Sequence, residues 1–288
     1  MTYSTLDDTE FDGVFACADT PERVPGVLAL GGSDGGIPEY FLRLLTNERC
    51  ACLALAYHAT PKTQPALVEV PLERLERALR WLRDHSRVAT RDGRVAVIGA
   101  SKGAELALVL AATFPDLVGP VVAYTPSSVV WSGIDFSAAA PPMRSSWSKR
   151  GKPLAFVPVP AGVPPLQSER GLGFVPIYER GLDGVQPDDA AIIPIERAAG
   201  PVLLISGGDD RMWPARRMCQ LLVDRAQRFG RDHLVRHLDF ADAGHALFAV
   251  EPDTELKSPL PVDLGGSEAA TARAHASAWP EVIRTLLG

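Results

Sequence analysis

The chain has 288 residues, of which 46% are hydrophobic and 22% are charged, and its net charge at pH 7 is −6. This composition is ordinary for a globular protein, and it gives no reason to expect nucleic acid or an anionic membrane as a partner. No apolar run approaches the roughly 20 residues that span a bilayer, and the acidic N-terminus lacks the features of a signal peptide. The cysteines form no Cys-x-x-Cys pair, so we expect buried thiols, a cytoplasmic location and neither metal nor cofactor.

Short apolar runs alternate with helix-forming segments along most of the chain, after a polar segment (residues 1–24) that we expect to be an edge element or an arm. Continuous apolar runs are typical of strands buried on both faces of a parallel sheet. The predicted strands cover residues 26–30, 52–57, 94–98, 118–124, 202–206 and 235–240. The predicted helices cover residues 37–47, 71–85, 104–112, 215–229 and 268–287. The alternation predicts an α/β fold with a mostly parallel central sheet and helices on both faces.

Residues 126–193 interrupt this alternation. They are rich in Pro, Ser and Gly, including Pro141-Pro142 and Pro164-Pro165. A segment of this length is too long for an ordinary connection within a domain. We therefore predict one domain over residues 1–288, with a lid or pocket insertion ahead of the strand at 202–206.

A Gly-x-Ser-x-Gly motif stands between the strand at 94–98 and the helix that follows it, at residues 99–103. In α/β-hydrolases a nucleophilic serine occupies such a strand-to-helix turn, with its hydroxyl exposed. A Cβ at either glycine would crowd the neighbouring strand or helix. The motif makes Ser101 the candidate nucleophile, although a simple tight turn would contain the same residue types.

A serine hydroxyl needs a base, and the base needs an orienting acid. In an α/β-hydrolase sheet these groups follow the carboxyl ends of later strands, in the order Ser, Asp or Glu, His. Asp209 and Asp210 follow the strand at 202–206, and His245 follows the strand at 235–240. The spacing does not separate the two aspartates. His58 also lies just past a strand end and could line the site. His245 is the candidate base because it follows the acid in the expected chain order and stands in a Gly-His pair after the last strand.

The anion that forms during acyl transfer needs two backbone donors. The amide of Lys102, directly after the nucleophile, is the expected first donor. The second is expected from the glycine-rich loop at 31–36, at Ser33 or Asp34. This loop matches neither glycine-rich nucleotide-binding motif, which argues against a phosphate site.

Lys102 and Glu105 are three residues apart on the predicted helix after Ser101. The simplest interpretation is a weak ion pair on the helix surface. An alternative is that Lys102 lies near the pocket mouth, where its charge would attract an anionic substrate.

Several segments carry a family resemblance that covers about residues 25–287. They are LALGGSDGGIPE at 28–39, VPLERLERALRWL at 70–82, VAVIGASKGAELALVLA at 95–111, AYTPSSVVW at 123–131, AAIIPIERAAGPVLLISGGDDRMWP at 190–214, AGHAL at 243–247 and GGSEAATARAHASAW at 265–279. With these motifs the chain resembles the C-terminal catalytic domain of the acyl-CoA thioesterase and bile acid-CoA:amino acid N-acyltransferase family, a branch near the dienelactone hydrolases. The resemblance implies an α/β-hydrolase fold, a thioester substrate, and Ser101, Asp210 and His245 as nucleophile, acid and base.

The resemblance also orders the functional hypotheses. Longer family members carry an N-terminal β-sandwich that helps to shape their acyl-CoA site, and we expect none in a chain of this length. The amino acid-conjugating members use Cys as nucleophile, so Ser101 favours hydrolysis. The leading hypothesis is therefore a serine hydrolase that cleaves a small-molecule acyl thioester. The alternatives are acyl transfer to an amine or alcohol, an ester or lactone hydrolase, and a binding protein that keeps the hydrolase fold.

Overall fold

The computed structural model describes residues 2–6, 10–45, 47–138, 142–248 and 260–288. Their strands are β1 (Thr2–Thr5), β2 (Gly13–Cys17), β3 (Val24–Leu30), β4 (Ala51–Leu55), β5 (Val70–Pro71), β6 (Val88–Ala89), β7 (Val95–Ala100), β8 (Val118–Tyr124), β9 (Trp147–Lys149), β10 (Lys152–Pro153), β11 (Leu166–Ser168), β12 (Gly171–Gly173), β13 (Val202–Gly207) and β14 (Val235–Phe240). Their α-helices are α1 (Glu39–Leu45), α2 (Leu72–Asp84), α3 (Lys102–Thr113), α4 (Val175–Leu182), α5 (Ala215–Arg228) and α6 (Glu268–Leu287). Single 3₁₀ turns lie at Ile195–Arg197 and Asp232–Leu234.

The central sheet has the strand order β1-β2-β4-β3-β7-β8-β13-β14, and β6 adds a short pairing to β3. From β4 to β14 every pairing is parallel, whereas β1 and β2 join antiparallel at one edge. All residues of β4, β7 and β13 are buried, as expected for strands covered on both faces. The predicted α/β fold with a mostly parallel sheet is confirmed, and the polar N-terminal segment supplies edge strands.

Alternate residues of the inner strands enter two different apolar cores, because successive side chains point to opposite faces of a sheet. Leu28 and Val97 pack in the core beneath α2, α3 and α5. Val27 and Ile98 pack in the core beneath α1 and α6. Because β3, β7, β8 and β13 run parallel, their carboxyl ends meet at one rim, where the loops that follow them can converge.

Among the described residues, no helix combines the length and the apolar character that crossing a membrane requires.

The insertion at 126–193 contains regular structure that the sequence pattern does not reveal. It includes β9 to β12 and α4, and it forms a separate apolar cluster around Val129, Trp131 and Leu182. The β9 strand pairs with β5, which ties the insertion to the loop before α2. Strands of two or three residues are too short to show an alternating pattern, so hydrophobic periodicity could not detect them.

Candidate active site

Ser101 occupies a sharp turn between β7 and α3. Its backbone angles, φ 53° and ψ −118°, lie in a region that L-residues rarely adopt. Its carbonyl oxygen accepts hydrogen bonds from the amides of Ala104 and Glu105, each at 3.0 Å, so α3 begins directly beneath the serine. The turn therefore directs the Ser101 side chain away from the sheet and into a cavity that Ser101 lines.

The two glycines of the motif let α3 pack closely against the sheet. A Cβ at Gly99 would overlap the backbone of Gly103, and a Cβ at Gly103 would overlap the carbonyl oxygens of Leu30 and Gly31. Their place in the motif thus has the steric origin expected from the sequence. Close packing also brings the loop after β3 against Ser101.

Asp210 and His245 form a buried pair. The His245 Nδ1 lies 2.8 Å from Asp210 Oδ2, a geometry in which the Nδ1–H group donates a hydrogen bond to the carboxylate. The other oxygen, Oδ1, accepts the amides of Met212 at 2.9 Å and Trp213 at 3.2 Å. Both carboxylate oxygens are therefore engaged, and in the neutral form of this imidazole the nitrogen left without a proton is Nε2.

Asp209 has a different environment, although it is adjacent in sequence. Its carboxylate accepts the Gly266 amide at 2.8 Å and pairs with Arg211 at 3.3 Å. Its side chain is 42% exposed, whereas that of Asp210 is 2% exposed. The structure brings Asp210, and not Asp209, to the histidine.

The loop that carries His245 is fastened on both sides of the imidazole. The His245 amide donates to the Leu264 carbonyl oxygen at 2.7 Å, and the Thr125 hydroxyl donates to the His245 carbonyl oxygen at 3.3 Å. The Trp213 ring packs edge-on against the imidazole, and its Nε1 donates to the Thr125 carbonyl oxygen at 3.1 Å. The backbone hydrogen bonds hold the loop at His245, and the Trp213 ring and the Asp210 carboxylate are the groups that contact and orient the imidazole.

Ser101, Lys102, Ser33 and His245 line one cavity of about 480 Å³. Within the described residues the Ser101 hydroxyl makes no hydrogen bond to the imidazole, a contact that is often long in hydrolases without substrate. The rest of the lining is mostly apolar, with Asp135 as its acidic member, and much of this apolar wall comes from the insertion. Its members include Ile134, Phe136, Val159, Phe174, Ile177 and Trp213.

The expected donors for an anion lie on both sides of Ser101. Lys102 is the first residue of α3, so its amide belongs to the unpaired amides of a helix N-terminus. On the opposite side, a Cβ built on Gly32 would lie 3.6 Å from the Ser101 Cβ. Ser33 lines the cavity next to Gly32, and Asp34 is half-buried one residue further along.

The Lys102–Glu105 ion pair is buried, so the expectation of a pair on the helix surface is wrong. The side chains are 2% and 0% exposed, and Lys102 Nζ lies 2.7 and 2.6 Å from the two carboxylate oxygens. Glu105 Oε1 also accepts the Trp147 indole at 2.8 Å and the Trp131 amide at 3.4 Å. Burial lowers the pKa of Lys102 and raises the pKa of Glu105, while their mutual attraction opposes both shifts.

Sequence reasoning overlooked Tyr57 and named His58 only as a residue that could line the site. Both follow β4 and are buried beside the glycine-rich loop after β3. The Tyr57 hydroxyl and the His58 Nε2 each contact backbone carbonyl oxygens of that loop. Position just past a strand end singled out His58 in the sequence, and the same signal could have found Tyr57.

Among the described residues no cluster of three or more His, Cys, Asp or Glu could hold a metal ion.

A family profile described as BAAT / Acyl-CoA thioester hydrolase C terminal matches residues 70–286. An acyl-coenzyme A amino acid N-acyltransferase 2 from Mus musculus is 27% identical over 269 residues, and an acyl-coenzyme A thioesterase 6 from the same species is 28% identical over 272 residues. Each match covers 90% of this chain and 58% of the relative. The chain thus spans little more than half the length of these relatives.

Solved structures share the fold at low sequence identity. A dienelactone hydrolase-like promiscuous phosphotriesterase from metagenomic libraries matches with a TM-score of 0.56 at 19% identity, over 100% of this chain and 99% of the other. The esterase domain of a Rhodothermus marinus protein matches with a TM-score of 0.54 at 14% identity, over the full length of both chains. These likenesses show an α/β-hydrolase fold.

Proposed function

The chain belongs to the BAAT / acyl-CoA thioester hydrolase C-terminal family, and we propose that it is a serine hydrolase that cleaves acyl thioesters through an acyl-enzyme on Ser101. The observation that carries this proposal is the buried Asp210–His245 hydrogen bond, on the cavity that Ser101 also lines. The names of the relatives, acyl-CoA thioesterases and acyl-CoA N-acyltransferases, support an acyl thioester as the substrate class.

In the proposed first half-reaction, His245 Nε2 takes the Ser101 hydroxyl proton as the oxygen attacks the thioester carbonyl carbon. The Asp210 carboxylate stabilises the imidazolium and keeps it oriented. The carbonyl oxygen becomes an anion, which the amide of Lys102 and an amide of Ser33 or Asp34 stabilise. The carbon–sulfur bond then breaks, His245 returns the proton to the leaving sulfur, and the thiol departs.

In the second half-reaction, water replaces the thiol. His245 removes a proton from water as its oxygen attacks the acyl-serine carbonyl, and a second oxyanion forms in the same place. Collapse of this intermediate breaks the bond to the Ser101 oxygen, which regains its proton from His245. The products are a carboxylic acid and the free enzyme, so no cofactor is consumed.

The mostly apolar wall of the cavity supports an uncharged acyl group in the substrate. Ile134, Phe136 and Ile177 offer hydrocarbon and aromatic surface there. An acyl group that buries such surface gains roughly 25 cal/mol for each Å² removed from water. We expect apolar acyl groups to react faster than acyl groups that end in a carboxylate.

A panel of acyl-CoA thioesters tests the proposal. The purified full chain is incubated with acetyl-, butyryl-, octanoyl-, palmitoyl-, benzoyl- and succinyl-CoA, and the release of free thiol is followed by its reaction with a chromogenic disulfide. We expect turnover, fastest with an apolar acyl group. Nitrophenyl esters are assayed in parallel. If they are hydrolysed and none of the thioesters is, the protein is an ester or lactone hydrolase instead.

Acyl transfer is the second candidate, because N-acyltransferases match the chain about as well as thioesterases do. The two reactions share the acyl-enzyme and differ in whether water or an amine accepts the acyl group. Product analysis by mass spectrometry separates hydrolysis from transfer when the reaction is run with and without glycine at about 50 mM, which is about a thousandfold below the concentration of water. A dominant N-acylglycine product would favour transfer over hydrolysis.

Asp210→Asn is expected to lower kcat by about 10²- to 10⁴-fold. The Met212 and Trp213 amides require an oxygen at the Oδ1 position, so the new amide NH₂ would face His245 and favour the tautomer that cannot accept the Ser101 proton. Asp209→Asn is the matched control, because Asp209 makes no contact with the imidazole among the described residues. Steady-state kinetics on the best substrate measure both variants, and equal losses in the two would contradict the assignment of Asp210.

A further inference from the structure

The loop between β3 and α1 is held from below by a single buried phenol. The Tyr57 hydroxyl lies 2.7 Å from the Gly31 carbonyl oxygen and 2.9 Å from the Gly32 carbonyl oxygen. Burial raises the pKa of Tyr57 well above its ordinary value, and the nearby Asp34 carboxylate adds to this shift. Tyr57 therefore remains protonated, and its hydroxyl proton is shared between the two carbonyl oxygens.

The carbonyl oxygen of Ser33, which follows Gly32 in the loop, contacts the side chain of His58, which follows Tyr57. His58 Nε2 lies 3.3 Å from the Ser33 carbonyl oxygen, and the Gly36 amide donates to the His58 carbonyl oxygen at 3.2 Å. Because a carbonyl oxygen can only accept, the proton of the neutral ring must be on Nε2. Burial lowers the pKa of His58 to about 4, so the ring is neutral near pH 7.

These contacts determine where the amides of the loop point. In a trans peptide the C=O and N–H groups point in opposite directions, and the chain contains no cis peptide among the described residues. The carbonyl groups of Gly31, Gly32 and Ser33 are directed to Tyr57 and His58. The amides of the following residues, Gly32 to Asp34, are therefore directed away from these two side chains.

The opposite side of the loop is the side of the nucleophile. Ser33 lines the cavity together with Ser101, and the Gly32 α-carbon faces the Ser101 side chain. We propose that Tyr57 and His58 are positioning residues, which hold the loop backbone so that its amides stabilise the oxyanion formed on the acyl group at Ser101. This inference rests on the proposed function and adds to it the groups that fix the second oxyanion donor.

Tyr57→Phe tests the inference by removing one oxygen atom. We expect kcat for the best acyl substrate to fall about 10- to 100-fold, with KM changed less than about twofold, because the loop contributes to the transition state and not to ground-state binding. Tyr124→Phe is the matched control. Tyr124 is also fully buried, but its hydroxyl has no hydrogen-bond partner among the described residues. We expect that variant to keep the wild-type kcat.

Inhibitor affinities distinguish positioning of the loop from general loss of structure. An alkylboronate forms a tetrahedral anion on the serine, whereas a thioether analogue of the acyl-CoA resembles only the ground state. In Tyr57→Phe the boronate inhibition constant should rise in proportion to the loss of kcat/KM, while that of the thioether stays within about twofold of wild type. A parallel rise in both constants, or a kcat within twofold of wild type, would overturn the inference.

His58 supplies a second variant pair in case Tyr57→Phe does not fold. His58→Leu removes the donor to Ser33, and His58→Gln restores an N–H donor; we expect a loss of kcat in the first and partial recovery in the second. Equal activity in both would count against the inference. If wild type neither hydrolyses any ester or thioester nor reacts with a fluorophosphonate at Ser101, the proposed function fails and this inference with it. An active wild type with unaffected Tyr57 and His58 variants overturns the inference alone.

Discussion

Ser101→Ala is expected to lower kcat/KM for the best acyl substrate by about a thousandfold or more, while the fold is retained. The variant removes the only atom that forms the proposed acyl-enzyme, and it leaves the cavity, the Asp210–His245 pair and the backbone donors unchanged. Thiol release measures the rate, and mass spectrometry after exposure to a fluorophosphonate measures loss of the covalent adduct.

Ser128→Ala is a suitable control for this variant. Ser128 is 2% exposed and its hydroxyl has no hydrogen-bond partner among the described residues. Removal of that oxygen should leave kcat/KM within about twofold of wild type. Residual thioesterase activity of Ser101→Ala near the wild-type level would refute the acyl-serine mechanism, and adduct formation on another residue would identify the true nucleophile.

Glu105→Leu is expected to destabilise the protein by about 3–5 kcal/mol. It leaves the buried Lys102 ammonium without its counter-charge and the Trp147 indole without its acceptor. Urea unfolding followed by tryptophan fluorescence measures the change. A double variant, Lys102→Met with Glu105→Leu, should recover most of the loss, because replacement of both ions by apolar groups removes the unpaired charge.

An exposed ion pair on another helix provides the comparison. Arg80 Nη2 lies 2.7 Å from Glu76 Oε1 on α2, with the arginine side chain 51% exposed. Glu76→Leu should change the free energy of unfolding by about 0.5 kcal/mol or less, as is typical of a solvated helix pair. If Glu105→Leu is no more costly than Glu76→Leu, or if the double variant is as unstable as Glu105→Leu, burial of the pair is not what makes it important.

The pairing of Lys102 with Glu105 was predicted from the sequence, whereas the burial of this pair was not. The helical spacing of Lys102 and Glu105 correctly predicted that they pair. Their burial depends on Trp131 and Trp147, which come from the insertion and cover the carboxylate. Helical periodicity describes only which side chains of one helix are neighbours, so it cannot show which distant segment will cover them.

The aspartates illustrate the same limit at the candidate site. Spacing left Asp209 and Asp210 equivalent, and the family resemblance favoured Asp210. Only the path of the loop after β13, with the Gly266 amide binding Asp209 and the Met212 and Trp213 amides binding Asp210, assigns the two carboxylates to different partners. A one-residue difference in a loop changes the direction of a side chain completely, and composition carries no information on it.

The amino-acid sequence by itself determined the layered α/β architecture, the sharp turn at Ser101 and the strand ends from which Asp210 and His245 come. These features follow from local physics, namely apolar runs, helix-forming stretches and glycines that allow close packing. The tertiary structure alone decided that Tyr57 and His58 bind three successive loop carbonyls, that the Lys102–Glu105 ion pair is buried and that the insertion supplies much of the apolar wall. Each of these depends on contacts between segments far apart in the chain, where packing and desolvation, rather than local preference, select the partners.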